Sequence, residues 1–158
     1  MKKKQTDEGI KVKGMFRLKI NEDGKVVGDS GWTNNQITNL GFQQYLVMSL
    51  GSISGSKYIS HISLATGTIP ASNATALTGE LQKRTTVTAS STVAGSKTLR
   101  LTGSFASSAN YNTANATIQS IGLFNTSSGG TLFAGNTFAT SGLGTNQSVS
   151  FTYDIVFA

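Results

Sequence analysis

Alternation of apolar and polar residues is the dominant pattern along this chain. In QSVSFTYDIVFA, Val149, Phe151, Tyr153, Ile155 and Phe157 fall on one side of an extended strand. Ser148, Ser150, Thr152 and Asp154 fall on the other. SKTLRLTGSFA repeats the pattern, with Leu99, Leu101 and Phe105 against Arg100, Thr102 and Ser104. Phe16, Leu18 and Ile20 alternate up to Asp23-Gly24, a turn pair that joins them to Lys25–Val27 as a β-hairpin. KYISHISLATG, ELQKRTTVTAS, TIQSIGLFN and GTLFAGNTF read as further strands, the last two joined through a tight Ser-Gly turn.

One helix is predicted after WTNNQ. Thr38 or Asn39 can cap it, Phe42, Tyr45, Leu46 and Leu50 recur at helical spacing, and Gly51 is placed to end it. GTIPASNATA, with the only proline, Pro70, reads as a surface loop. Seven or eight strands and one helix predict a mainly β fold: an antiparallel, jelly-roll-like β-sandwich with one packed α-helix. Residues 1–13 read as a flexible basic arm and 14–158 as one sandwich domain. In the hairpin SIGLFNTSSGGTLFAG both residue parities are apolar, so Ile121, Leu123, Phe124, Leu132 and Phe133 are expected to supply core or inter-subunit contacts. That strand should be covered on both faces, by the other sheet and by the helix or a neighbouring subunit.

Charge sharpens this picture. Eight of the thirteen basic residues lie in the first 25 positions, and from Leu101 onward Asp154 is the only charged residue. Charged residues make up 13% of the chain, about half of what a free monomer usually carries. Ser, Thr and Asn make up about a third. A neutral hydroxyl- and amide-rich surface is easier to desolvate against protein than Lys or Glu, which points to a subunit of an assembly and to a homo-oligomer. Lys2, Lys3, Lys4, Lys11 and Lys13 are the arm residues expected to meet a protein neighbour. Nucleic acid is the weaker partner, because Asp7, Glu8, Glu22 and Asp23 dilute the basic run and no aromatic residues interleave it. No stretch is apolar enough to span a membrane, and MKKKQTDEGIKVKG lacks the apolar core of a secretory signal.

The residues offer little chemistry. His61 is the only histidine and sits in the alternating strand HISLA, with no nucleophile or carboxylate placed beside it by the sequence. With one histidine and no cysteine, neither a transition-metal site nor a disulfide is expected, and no cofactor is implied. GSISGSK follows the predicted helix instead of leading into one, so it is not a phosphate loop. Four Asn-x-Ser/Thr matches are the chance yield of an Asn-, Ser- and Thr-rich chain. Trp32, Tyr58 and Tyr111 are the aromatic residues a carbohydrate-binding sandwich would display, and core or loop-anchoring roles compete for each.

The order of segments carries more than any single motif. WTNNQITNLGFQQYL precedes ISHISLATGT, then ALTGELQKRTTVT, LRLTGSFAS and IQSIGLFNTSSGGTLFAG. This order, over about residues 30–157, resembles small bacteriophage virion proteins and the N-terminal collar domain of phage tail fibres. In them N-x-hydrophobic-T-N-x-G opens a helix, L-x-x-E precedes a basic residue, and I-G-L-F-N leads into GG-x-L. Two features depart from the pattern: Ser120 stands where an acidic residue often precedes I-G-L-F, and the last strand ends the sequence without a fibre shaft. The resemblance implies a non-enzymatic virion component, assembled in the host bacterial cytoplasm, that contacts itself and other virion proteins of the tail, portal, collar or capsid. A fibre adaptor or tail-associated collar protein is the leading expectation, and a capsid decoration or cement protein is the alternative.

Overall fold

The structure, a computed structural model, describes residues 9–91, 95–107 and 114–158. Strand β1 (Val12–Glu22) turns through Asp23 and Gly24 into β2 (Lys25–Asp29). Both turn residues have positive φ, 48° and 77°, as a two-residue type I′ hairpin requires. Then come β3 (Thr33–Ile37), the helix, β4 (His61–Ala65), β5 (Thr85–Thr86), β6 (Thr88–Ser91), β7 (Thr98–Phe105), β8 (Ala116–Phe124), β9 (Leu132–Leu143) and β10 (Ser148–Phe157).

All strand pairs are antiparallel, in the order β5-β4-β8-β9-β3-β1-β10-β7-β6, with β2 also on β1. The two ends of this path are consecutive in the chain. Thr85–Thr86 pairs with β4, Thr88–Ser91 pairs with β7, and the Val87 amide between them donates to Ser60 O at 3.0 Å. The opposite corner is β3, whose Thr33–Asn35 pairs with β1 and whose Gln36 and Ile37 pair with β9. The two layers are thus joined at both corners into one nearly closed, flattened barrel. The mainly β, antiparallel expectation stands, but the layers form a single sheet instead of two independent ones.

Alternation fills the barrel as the sequence pattern predicts. Phe16, Leu18, Leu101, Phe105, Val149, Phe151, Tyr153 and Ile155 face Ile62, Leu64, Ile118, Ile121, Leu123 and Phe133 in one core. The first long strand pairs with the last through ten residue pairs, from Val12–Phe157 to Asn21–Ser148. Strand β1 therefore begins at Val12, and residues 12 and 13, assigned to the arm by the sequence, belong to the sheet.

The predicted helix is present but wound differently. Gly41–Val47 is π-helical and Met48–Leu50 α-helical. The wider winding replaces the expected stripe: Tyr45 is buried and Leu46 partly so, whereas Phe42 and Leu50 are 43% and 89% exposed. Thr38 is the capping residue, its Oγ1 accepting from Gly41 N–H at 2.9 Å and donating to Leu132 O at 2.7 Å.

GTIPASNATA is a surface loop as expected, most of it exposed, but Pro70 within it and Leu77 just after it are buried, because the 66–81 segment lies over the outer face of β8 and β9. Leu77 packs with Ala65, Phe124 and Leu132 in a second apolar cluster. The outer cover expected from the helix or a neighbouring subunit is supplied by this loop.

The paired carboxylates on the barrel's outside set its acid response. Asp29 is held well below the ordinary carboxylate range, first by its hydrogen bond from Arg17 and then by that from Gly31 N–H. Glu22 is lowered by Gln147 and Asn146, whose amides donate to it at 3.0 and 2.9 Å. Folded pKa values below the unfolded ones mean that the unfolded chain binds more protons in acid. Their stabilisation is therefore complete above the ordinary carboxylate pKa and is lost as pH falls through the lowered ones. The melting midpoint of the parent should fall more steeply than that of Asp29→Asn between about pH 5 and about pH 2. Parallel slopes would remove Asp29 from the acid response.

Candidate interaction surfaces

Sequence reasoning singled out the arm and the 121–133 hairpin, and the structure treats them differently. Lys2, Lys3 and Lys4 lie outside the described residues. Lys11 exchanges backbone hydrogen bonds with Ala158 at 2.7 and 2.8 Å, and Lys13 lies opposite Val156. Both are fixed by the sheet at one end of the barrel.

Ile121, Leu123, Phe124, Leu132 and Phe133 are all buried, between 0% and 1% exposed, within this chain alone. They split between two clusters: Ile121, Leu123 and Phe133 face the barrel core, and Phe124 and Leu132 face the 66–81 loop. The connection between the strands is a loop over residues 125–131 with Phe124 opposite Leu132, longer than the tight turn expected. Asn125 closes it by accepting from Thr131 N–H at 2.8 Å.

Around that loop the segments quoted in the resemblance meet. Arg84 donates to the carbonyls of Thr126 and Gly129 at 2.9 and 2.7 Å. It forks onto Glu80 and lies 3.4 Å above the Phe124 ring. Its side chain is 5% exposed, that of Glu80 22%. From the other side, Tyr45 donates to Thr131 O and packs on Phe133 at 5.1 Å, while Lys57 donates to Thr131 Oγ1. Gly41 lets the helix sit directly on β9, since a Cβ there would lie 2.1 Å from Phe133 O. The helix start, the L-x-x-E segment and the I-G-L-F-N segment thus form one partly buried network. The sequence showed its parts; only the fold shows that they touch. Ser120, the departure from the pattern, is buried beside Ala65 O at 3.5 Å.

Two surfaces remain open. The first is an apolar groove of about 310 Å³ between the helix, the 57–59 segment and the ends of β7 and β10. Leu46, Tyr58, Leu99, Phe133, Ile155 and Phe157 line it. Tyr58 and Ser49 in its lining are exposed, and so are Val47, Leu50 and Ile53, near Ser49 in the chain. The second is β2, where Val26 and Val27 are 54% and 55% exposed. The register with β1 shifts between Ile20 and Asn21, so Val27 sits in a β-bulge that breaks the alternation and leaves both valines uncovered. Periodicity could have flagged β2, since VV after a hairpin turn has no alternation. The groove is assembled from distant segments and had no sequence signal.

The remaining candidates do not converge. His61 lies in β4 with Nδ1 2.8 Å from Ser60 Oγ, and burial together with Arg84 lowers its pKa. Trp32 is 47% exposed beside β3, Tyr58 belongs to the groove, and Tyr111 lies outside the described residues. Among the described residues no three His, Cys, Asp or Glu side chains cluster as metal ligands, and no helix is long and apolar enough to cross a membrane. No family model, curated protein or solved structure gives a significant match to the chain.

Proposed function

We propose that this chain is a non-enzymatic bacteriophage virion structural protein, a repeated subunit at the tail or collar that acts as a fibre adaptor or tail-associated piece. The observation that carries the reading is the partly buried network around the 125–131 loop. The segments whose order resembles the phage proteins are the segments that hold one another: Thr38 and Gly41 at the helix start, Glu80 and Arg84, and Phe124 to Leu132. A shared order with a common structural cause is better support than five unrelated short motifs. The low charge of the second half of the chain supports an assembled state for the same reason as before. As part of this reading the flattened barrel is a jelly-roll-like sandwich, its first and last long strands paired along their length.

The partners in this proposal are further copies of the chain and other virion proteins, and the location is the virion. The test is quantitative mass spectrometry of purified particles from the lysing strain that encodes the chain. Recovery at a small multiple of six copies per particle is the expected result. Hundreds of copies would move the protein to the head as a decoration protein, and absence from particles would overturn the reading.

A further inference from the structure

The apolar groove and the β1–β2 hairpin both expose apolar side chains and are bordered by opposite charge. Five side-chain carboxylates lie among the described residues, and three are ion-paired: Asp29 with Arg17, Glu80 with Arg84, and Asp154 with Arg100. The other two sit at the tip of the β1–β2 hairpin, next to exposed Val26 and Val27: Glu22, which accepts from the Asn146 and Gln147 amides but meets no cation, and Asp23. The groove end carries the opposite sign. Lys57 lines it, Lys97 lines the adjoining hollow with Phe157, and Lys11 and Lys13 flank the same sheet end. None of these four lysines has a carboxylate partner among the described residues.

These two surfaces cannot meet within one molecule. Val12 pairs with the groove residue Phe157 at one end of β1, and Glu22 enters the hairpin turn at the other. Eleven residues of strand at about 3.3 Å each separate them by roughly 30 Å. We propose that the hairpin of one copy seats Val26 and Val27 in the groove of the next, with Glu22 and Asp23 facing its lysines. The contact is heterologous, so successive copies run head to tail and close into a ring or extend as a filament. The N-terminal segment MKKKQTDE is the poorer occupant, because it would bring three more lysines to a groove already bordered by lysines. The inference deepens the repeated-subunit reading and rests on it for the identity of the partner, a second copy.

Two variants on opposite sides of the contact test it. A hairpin variant, Val26→Asp with Val27→Asp, and a groove variant, Tyr58→Glu with Ser49→Glu, alter exposed side chains, so both should fold. Circular dichroism and melting check that they do. In sedimentation velocity the parent chain should run as an oligomer and each variant as a monomer. An equimolar mixture should form dimers and stop there, because only one competent hairpin and one competent groove remain per pair. Asp23→Lys and Lys97→Glu, singly, should each weaken association by about tenfold, and by less in combination than the two losses multiplied. A monomeric parent, a hairpin variant that still assembles, or a mixture that stays monomeric would each overturn the contact. Particles that contain the chain although the hairpin variant assembles normally would sink this inference alone. Head-to-tail assembly of a chain absent from particles would sink the virion reading alone.

Discussion

Gly41→Ala should lower stability by about 2–4 kcal/mol, although the same change in an exposed helix raises it by about 1 kcal/mol. The added Cβ would lie 2.1 Å from Phe133 O and 3.0 Å from Ile37 Cγ2. A carbonyl in the backbone of a strand, held by Thr38, cannot swing away as a side chain does, so the helix must lift. Lifting it stretches the Thr38 N–H bond to Phe133 O, 2.9 Å in the parent, and withdraws Tyr45 from Phe133. For a chain of this size the expected loss corresponds to a fall of about 5–15 °C in melting midpoint. Gly142→Ala is the matched control, because a Cβ there meets nothing within 4 Å. It should be neutral or stabilising by under about 1 kcal/mol. Equal midpoints for the two variants would show that the helix seat is not the tight contact described.

The second large effect is expected at Arg84. Arg84→Met keeps an unbranched side chain over Phe124 but removes the fork to Glu80 and both carbonyl bonds to the 125–131 loop. Removing one member of a buried pair costs about 3–5 kcal/mol, mostly because the remaining charge is left without a partner. Glu80 is 22% exposed and partly reached by water, which places the loss near the lower figure, about 3 kcal/mol. Glu80→Gln in the Arg84→Met background should cost less than it does alone, since the carboxylate then has no cation to lose. Two local readouts separate this from general loosening. Thr131 N–H should lose hydrogen-exchange protection, and the His61 pKa should rise as the nearby positive charge goes. A change of less than about 0.5 kcal/mol, with His61 unmoved, would show that Arg84 is a bystander.

The long strands were legible because alternation is a local property. Phe16, Leu18 and Ile20, or Val149 through Ile155, face one way in any extended conformation, and each set is buried as its spacing predicts. The Asp23-Gly24 turn was legible for the same reason, since both residues tolerate positive φ. What failed was local evidence that other segments override. TNNQI has no apolar alternation and two Asn residues that disfavour strands, yet it is β3, because β1 and β9 offer it unpaired edges on either side. Thr85–Ser91 read as one strand, but it turns a corner between β4 and β7. Helical spacing predicted a stripe through Phe42 and Leu50, whereas π winding over Gly41–Val47 turns those two outward and Tyr45 inward.

The sites divide along the same line. That Arg84, Tyr45 and Asn125 share one loop could not be read from the chain, because 80 residues separate Tyr45 from Asn125 and nothing local links them. The groove has the same origin, with walls drawn from residues 45–59, 89, 99–101, 133 and 155–157. By itself the sequence determined which side chains are apolar, which turns are possible and how little charge the second half presents, because those follow from residue type and spacing. The tertiary structure alone decided that the sheet closes at both corners and that a glycine is pressed against a carbonyl. It also placed the uncovered hairpin and the open groove at opposite ends of β1, since only folding sets distances between residues far apart in the chain.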